Sequence, residues 1–235
     1  MPIAAQTGVV KVEHDPSTAM RVAPETPEPL AWVAHFESVY ADAQGEMSRV
    51  PWADARPSPL LASWLNGEGS SLVRPGAKVT VVGCGLGDDA RELADRGYDV
   101  VAFDCSPTAV QWARQRHATI AERFVVADLF ALPGSLTRRA DLVVEIHTIQ
   151  AVHPGLRPAA AEAIVSLARP RGTVLAIARG REESEPLDAI GPPFPLTARE
   201  LTELMHPLSP AGAIEEVVEG EGMPVRRLLG AFRRA

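Results

Sequence analysis

Residues 79–89 read Val79-Thr-Val-Val-Gly83-Cys-Gly85-Leu-Gly87-Asp-Asp89, and Asp104 closes the next apolar run 21 residues after Gly83. A β-branched run ending in closely spaced glycines predicts a buried strand over 78–82 that turns sharply into a helix over 86–96, with Gly97 placed to stop it. A second strand then follows over 100–103, which completes a βαβ unit. Glycines between a strand end and a helix start let backbone N–H groups approach a ligand with no Cβ in the way, and the helix dipole adds to the attraction. An acid about 20 positions further on is placed to take both ribose hydroxyls. Gly83, Gly85, Gly87 and Asp104 are therefore candidate nucleotide-binding residues. The plainer alternatives are a tight turn for the glycines and an N-cap before Pro107 for Asp104.

The alternation continues outward from this unit. The pattern predicts a helix over 107–117, strands over 123–127 and 141–146, a helix over 157–168 and a strand over 172–178. After a proline-rich loop over 180–196 come a helix over 197–205 and two strands, 214–219 and 225–232. Only five residues part these last two, too few for a crossover helix, so they should be antiparallel. The expected fold is α/β: a doubly wound, mainly parallel seven-stranded sheet with a C-terminal antiparallel hairpin. Upstream, Trp32, Val33, Phe36, Val39 and Tyr40 recur at helical spacing and read as a core face, followed by a loop over 49–59 and a short helix over 60–65. Residues 1–29, with five prolines, read as a mobile N-terminal arm. Residues 30–235 read as one domain, with 30–70 as its helical cap.

The chain has 235 residues, is 46% hydrophobic and 23% charged, and carries a net charge of −7. This composition supports a real core and excludes collagenous or wholly disordered chains. No apolar run approaches the roughly 20 residues of a membrane span. The acidic balance and lack of a basic stripe argue against nucleic acid as a partner. Two cysteines cannot make a disulfide framework or a paired zinc motif, and no signal peptide is visible, so a reducing, cytoplasmic setting is expected.

The sixth position of the glycine motif, where a dinucleotide fingerprint has glycine or alanine against the pyrophosphate, is Asp88 here, followed by Asp89. Two carboxylates there would repel a pyrophosphate but tolerate a ligand with a cationic centre, which fits S-adenosyl-L-methionine. Gly83-Cys-Gly85-Leu-Gly87 resembles the GxGxG loop of class I S-adenosylmethionine-dependent methyltransferases, Phe103-Asp104-Cys105-Ser106 the acidic end of their second strand, and Val126-Ala127-Asp128-Leu129 the end of their third. The spacing from Cys84 and Gly85 through Asp89, Leu93, Ala94, Gly97 and Val100 to Asp104 and Ser106 looks like the thiopurine, thiol and halide methyltransferase branch. Pro51-Trp52 resembles the tryptophan-bearing segment that such enzymes fold over the cofactor. The resemblance implies a methyl transfer to a small-molecule acceptor, a thiol first, with Trp52, Cys84, Asp89, Cys105, Asp128, Leu129 and Glu145 joining the cofactor site. One departure is Val81, two before the first glycine, where many class I enzymes carry an acid that organises the methionine tail.

Read residue by residue, Asp128 also suits a turn, and Cys84 and Cys105 suit small packing positions beside a cofactor. The fourth strand ends in Glu145-Ile-His147 and runs on to Gln150 and His153. Glu145 is an acid in an apolar run, costly to bury unless bonded. With Gln150 and the histidines it forms the candidate catalytic group; His147 and His153 are expected to titrate near the ordinary 6.5. The alternatives to a thiol acceptor are O- or N-methylation of a secondary metabolite, a non-catalytic cofactor-binding module and a nicotinamide dehydrogenase.

Overall fold

The structure is a computed structural model that describes residues 23–187, 191–219 and 225–234. Most of the expected mobile arm, residues 1–22, and the five residues 220–224 lie outside the described residues. The part of the arm next to the first helix is held, because the Trp32 indole Nε1 donates to the Thr26 carbonyl at 2.9 Å.

The elements run α1 (Pro29–Ala43), α2 (Pro59–Asn66), α3 (Gly69–Leu72), β1 (Lys78–Val82), α4 (Asp88–Asp95), β2 (Asp99–Asp104), α5 (Pro107–Arg116), β3 (Phe124–Val126), β4 (Ala140–Ile146), α6 (Thr148–Ala151), α7 (Arg157–Leu167), β5 (Ala168–Arg179), α8 (Ala198–Leu204), β6 (Ser209–Pro210), β7 (Glu215–Glu219) and β8 (Val225–Arg233). Local chemistry sets many of these ends. Ser58 and Ser106 accept amide hydrogens as N-caps ahead of Pro59 and Pro107, and Thr197 forms a capping box with Glu200. Asp88 and Asp89 lie in the first turn of α4, where their charge suits the helix dipole.

The sheet order is β3-β2-β1-β4-β5-β8, parallel from β3 to β5 and antiparallel at β8. The expected strands are all present, and the outer edge adds one more. β6 and β7 both pair with β8, at different points along it, so the edge is interrupted between Pro210 and Glu215. The strands alternate between two cores. Val79, Val81, Val100, Ala102, Leu142 and Val144 pack with Leu61, Leu93, Val110 and Ala113 from α2, α4 and α5. Val82, Phe103 and Val143 face the opposite way, against Ile164, Leu167 and Leu201 of α7 and α8, and Trp32 of α1 joins this side. Each fully buried leucine in these layers contributes about 1.5–3 kcal/mol relative to exposure. Strand order reverses on either side of β1, where β2 and β4 lead off in opposite directions. At such a switch point the loops splay apart at the carboxyl ends of the strands and leave a crevice.

Candidate active site

A cleft of about 790 Å³ opens at that crevice, a volume suited to a nucleotide-sized ligand with a small partner. Its walls come from the ends of β1 to β5, from α1 and from the Trp52 loop.

The three motif glycines line it, at φ +58° for Gly83, +50° for Gly85 and +87° for Gly87. Left-handed backbone costs a residue with a Cβ about 1–2 kcal/mol. The space left by each missing Cβ is taken by protein. A Cβ on Gly83 would stand 2.5 Å from Thr148 Oγ1, one on Gly85 3.0 Å from Tyr40 Oη, and one on Gly87 2.7 Å from the Phe124 ring. The glycines thus shape the turn and also let α6, α1 and the core close in around the loop.

Asp104 lies on the same wall, 7% exposed. Its Oδ2 accepts the Gly85 amide and its Oδ1 the Ser106 amide, each at 2.9 Å, tying the ends of β1 and β2 together. Burial raises its carboxyl above the usual range, and these amides pull it part of the way back. The N-cap of α5 is Ser106, whose Oγ accepts from Ala109 N at 2.9 Å, so the capping alternative for Asp104 is corrected. Two residues of offset decide this: the cap must precede Pro107 directly, which leaves Asp104 at the strand end.

Asp89 also lines the cleft; its Oδ1 accepts the Ser58 amide at 2.7 Å, and burial pushes the carboxyl up to about 6. Asp88 pairs with Arg116 at 2.7 Å, so the expected doubled negative charge at the helix start is half neutralised. Asp128 caps the short turn of Leu129–Ala131 by accepting from Phe130 N at 2.9 Å, and both Asp128 and Leu129 face the cleft. Cys84 and Cys105 are free thiols on the same wall. Burial, with the Asp104 charge behind it, raises both thiols well above their ordinary range, so they stay protonated.

The β4 end differs from expectation. Glu145 is fully buried and lies behind the cleft wall instead of on it. Its Oε1 accepts the Ile149 amide at 2.8 Å, its Oε2 has no hydrogen-bond partner among the described residues, and burial pushes the carboxyl up to about 7. His147, at φ +65°, faces the cleft with its Nδ1 buried and without a hydrogen-bond partner among the described residues. Its expected ordinary pKa is corrected: burial first, and then the nearby Arg227 guanidinium, push it down to about 4. Gln150 lines the cleft and its Oε1 accepts the Arg179 amide. His153 is outside the cleft, accepting from Gly155 N at 3.0 Å and packing near Trp32 and Phe194.

The sequence reading missed several lining residues. Tyr40, read as core, is buried but presents its hydroxyl to the loop and accepts from Trp52 Nε1 at 2.7 Å. Phe36 and Tyr40 meet the Trp52 ring edge-on, building an aromatic wall. Pro192 and Pro193 come from the 180–196 loop, which is pinned at its ends by hydrogen bonds between Arg181 and Leu196 and between Leu196 and Arg179. Arg179 and Arg227 stand directly opposite each other across β5 and β8, and both line the cleft. A basic residue on the last strand gives no sequence signal of its own; only the pairing register brings it here.

These residues fit S-adenosylmethionine. Asp104 and Asp128 offer carboxylate acceptors for hydroxyl and amine donors, and an aromatic wall suits a sulfonium. Among the described residues no group of side chains could hold a metal ion, and no helix is long and apolar enough to cross a membrane.

Comparison with known proteins agrees. A probable thiol methyltransferase 2 of Arabidopsis thaliana is 28% identical over 167 residues, covering 69% of this chain and 70% of the relative. Thiocyanate methyltransferase 1 of Brassica oleracea is 27% identical over 207 residues, covering 86% of this chain and 83% of the relative. The fold is shared with the 1,6-didemethyltoxoflavin-N1-methyltransferase of Burkholderia thailandensis, solved with 1,6-didemethyltoxoflavin and S-adenosylhomocysteine, at TM-score 0.67 and 23% identity over 89% of this chain and 91% of that one. The cofactor is S-adenosylmethionine and the chain is a methyltransferase. The family model of thiopurine S-methyltransferase matches residues 42–217, which hold the glycine loop, Asp104, Asp128 and the β4 end alike, and the chain belongs to that family.

Proposed function

We propose that the enzyme methylates the sulfur of a small, anionic acceptor. The observation that carries this reading is His147, the one histidine lining the cleft among the described residues, held neutral with a pKa of about 4. So weak a base gives little help in removing a proton from an alcohol, whereas a thiol near pKa 8.5 supplies its own thiolate at neutral pH. Arg179 and Arg227 bring positive charge to the same end of the cleft, opposed by Asp54, and favour an anionic nucleophile there. The thiol and thiocyanate methyltransferases among the relatives support the same element.

Bound S-adenosylmethionine supplies an electrophilic methyl on a sulfonium. Asp104 and Asp128 would hold its adenosine, while Tyr40, Phe36 and Trp52 would cover the sulfonium and keep water off it. Gln150, fixed by the Arg179 amide, shapes the acceptor side. Alignment supplies most of the rate, since the leaving group needs no protonation. A relative from Mycobacteroides abscessus, a 2-heptyl-1-hydroxyquinolin-4(1H)-one methyltransferase 28% identical over 181 residues, makes an oxygen or nitrogen acceptor the second reading.

Product assays with labelled cofactor across thiol, phenol and amine panels test this. Thiols should turn over with a rate that follows their ionisation as pH rises, and His147→Ala should cost less than about tenfold in kcat. A loss of about a thousandfold, with cofactor binding intact, would overturn the thiolate reading in favour of a base-assisted hydroxyl.

A further inference from the structure

Helix α1 reaches the cofactor site by two routes. Val33, Phe36 and Tyr40 line the cleft, and Glu37 lies on the same stripe of the helix, between Phe36 and Tyr40 at helical spacing, but outside the cleft itself. The Glu37 carboxylate accepts from Ser106 Oγ at 2.5 Å, from Thr108 Oγ1 at 2.6 Å and from Thr108 N at 3.2 Å. Burial pushes this carboxyl up, but the three hydrogen bonds together bring it below its usual range. It is therefore ionised at working pH, and the contacts are charge-assisted.

Its anchor point is the residue that also holds Asp104. The Ser106 amide donates to Asp104 Oδ1, and Asp104 Oδ2 receives the Gly85 amide. On the other side Tyr40 Oη stands over Gly85, close enough that a Cβ there would meet it at 3.0 Å, and carries the Trp52 indole. Glu37 thus closes a ring running from α1 through Ser106, Asp104 and the glycine loop back to Tyr40. We propose that Glu37 is a positioning residue for cofactor binding: by fastening α1 to the start of α5, it holds the Tyr40 and Trp52 wall against the glycine loop and sets the rate at which the cofactor leaves.

The site separates this role from simple folding. Ser106 Oγ accepts from Ala109 N at 2.9 Å as the cap of α5, a bond in which Glu37 takes no part, so removing Glu37 leaves that helix capped. Nor does Glu37 touch the cleft, so any change in affinity must travel through α1 or Asp104.

The test measures S-adenosylhomocysteine binding to full-length Glu37→Ala, Glu37→Gln and Thr108→Ala, by calorimetry for Kd and by stopped-flow tryptophan fluorescence for the dissociation rate. Losing hydrogen bonds to a charged group predicts a Kd at least about tenfold higher for Glu37→Ala, carried by faster dissociation, with Glu37→Gln in between. Thr108→Ala, which removes one of the three contacts and keeps the carboxylate, should show a smaller change of the same kind and decides the matter if Glu37→Ala does not fold. A lowered Tm with Kd and dissociation rate within about twofold of wild type, measured well below Tm, would reduce Glu37 to a structural contact and overturn the proposal.

Discussion

Replacing Glu145 by glutamine should make the protein more stable above neutral pH and leave it nearly unchanged in acid. The carboxyl is pushed up to about 7 in the folded protein against an ordinary 4.5, because it is wholly buried at the turn into α6. The folded state holds this proton more tightly than the unfolded chain, so the associated stability is complete below pH 4.5 and is lost as pH rises through 7. The gap corresponds to about 3 kcal/mol. Glutamine mimics the neutral acid: its Oε1 still accepts the Ile149 amide, and its Nε2 replaces the oxygen that has no partner. Wild type hides this slope, because His147 contributes one of the opposite sign. Its pKa falls from 6.5 to about 4 on folding, so its stability term is complete above 6.5 and is lost as pH falls toward 4. The His147 term is the smaller of the two, since part of the ring stays open to the cleft. Between pH 4.5 and 6.5 the two oppose each other, and the wild-type curve is flattened. The measurement is therefore a difference: urea unfolding of Glu145→Gln and wild type between about pH 5 and pH 8, with m checked for constancy. The advantage of the variant should grow with pH to about 3 kcal/mol and level off above neutrality. A difference that stays constant across the range would show that Glu145 does not titrate there, and the burial argument would fall.

Two further outcomes follow from the loop geometry. Asp104→Asn can satisfy only one of the Gly85 and Ser106 amides, so calorimetry should find S-adenosylhomocysteine affinity at least about tenfold weaker and urea unfolding should find a loss of about 1–3 kcal/mol; full affinity in the folded variant would remove Asp104 from the site. Gly87→Ala combines a left-handed backbone with a Cβ 2.7 Å from the buried Phe124 ring, an expected cost of about 2–5 kcal/mol that calorimetric melting should register as a fall of roughly 5–15 °C; an unchanged Tm would mean that the turn relaxes freely.

What the sequence discloses here is what repeats locally. Strand β1 and the glycine loop stand out because a β-branched run, three glycines and a helix start are contiguous, and Asp104 stands out because the βαβ unit fixes its distance from them. Tyr40 and Glu37 belong to one helix whose apolar spacing is that of any core-facing helix, so nothing in the pattern separates a cleft wall from a packing face. Arg227 reaches the cleft only through its register with Arg179. His147 owes its depressed basicity to burial and to that same arginine, neither of which is local in sequence. Glu145 was legible as an anomaly, an acid in an apolar strand, but its position behind the cleft depends on which face of β4 the α6 turn folds over.

The charges that the strands bring to the cleft are sorted by place, with Asp54 of the Trp52 loop set against the arginines. Asp104 ends β2 and Asp128 follows β3, on one side of β1, while Arg179 and Arg227 stand on β5 and β8, on the other side. On the proposed function, a methyl sulfonium would be attracted to the first set and an anionic acceptor to the second, so the sheet order would orient the two reactants toward each other across the β1 and β4 ends. His147 lies at that junction and would interfere if it were charged, because an imidazolium there would repel the sulfonium. Burial keeps it neutral. On the proposed thiolate chemistry, its value to the site lies in being uncharged and polar at the point where methyl donor and acceptor meet.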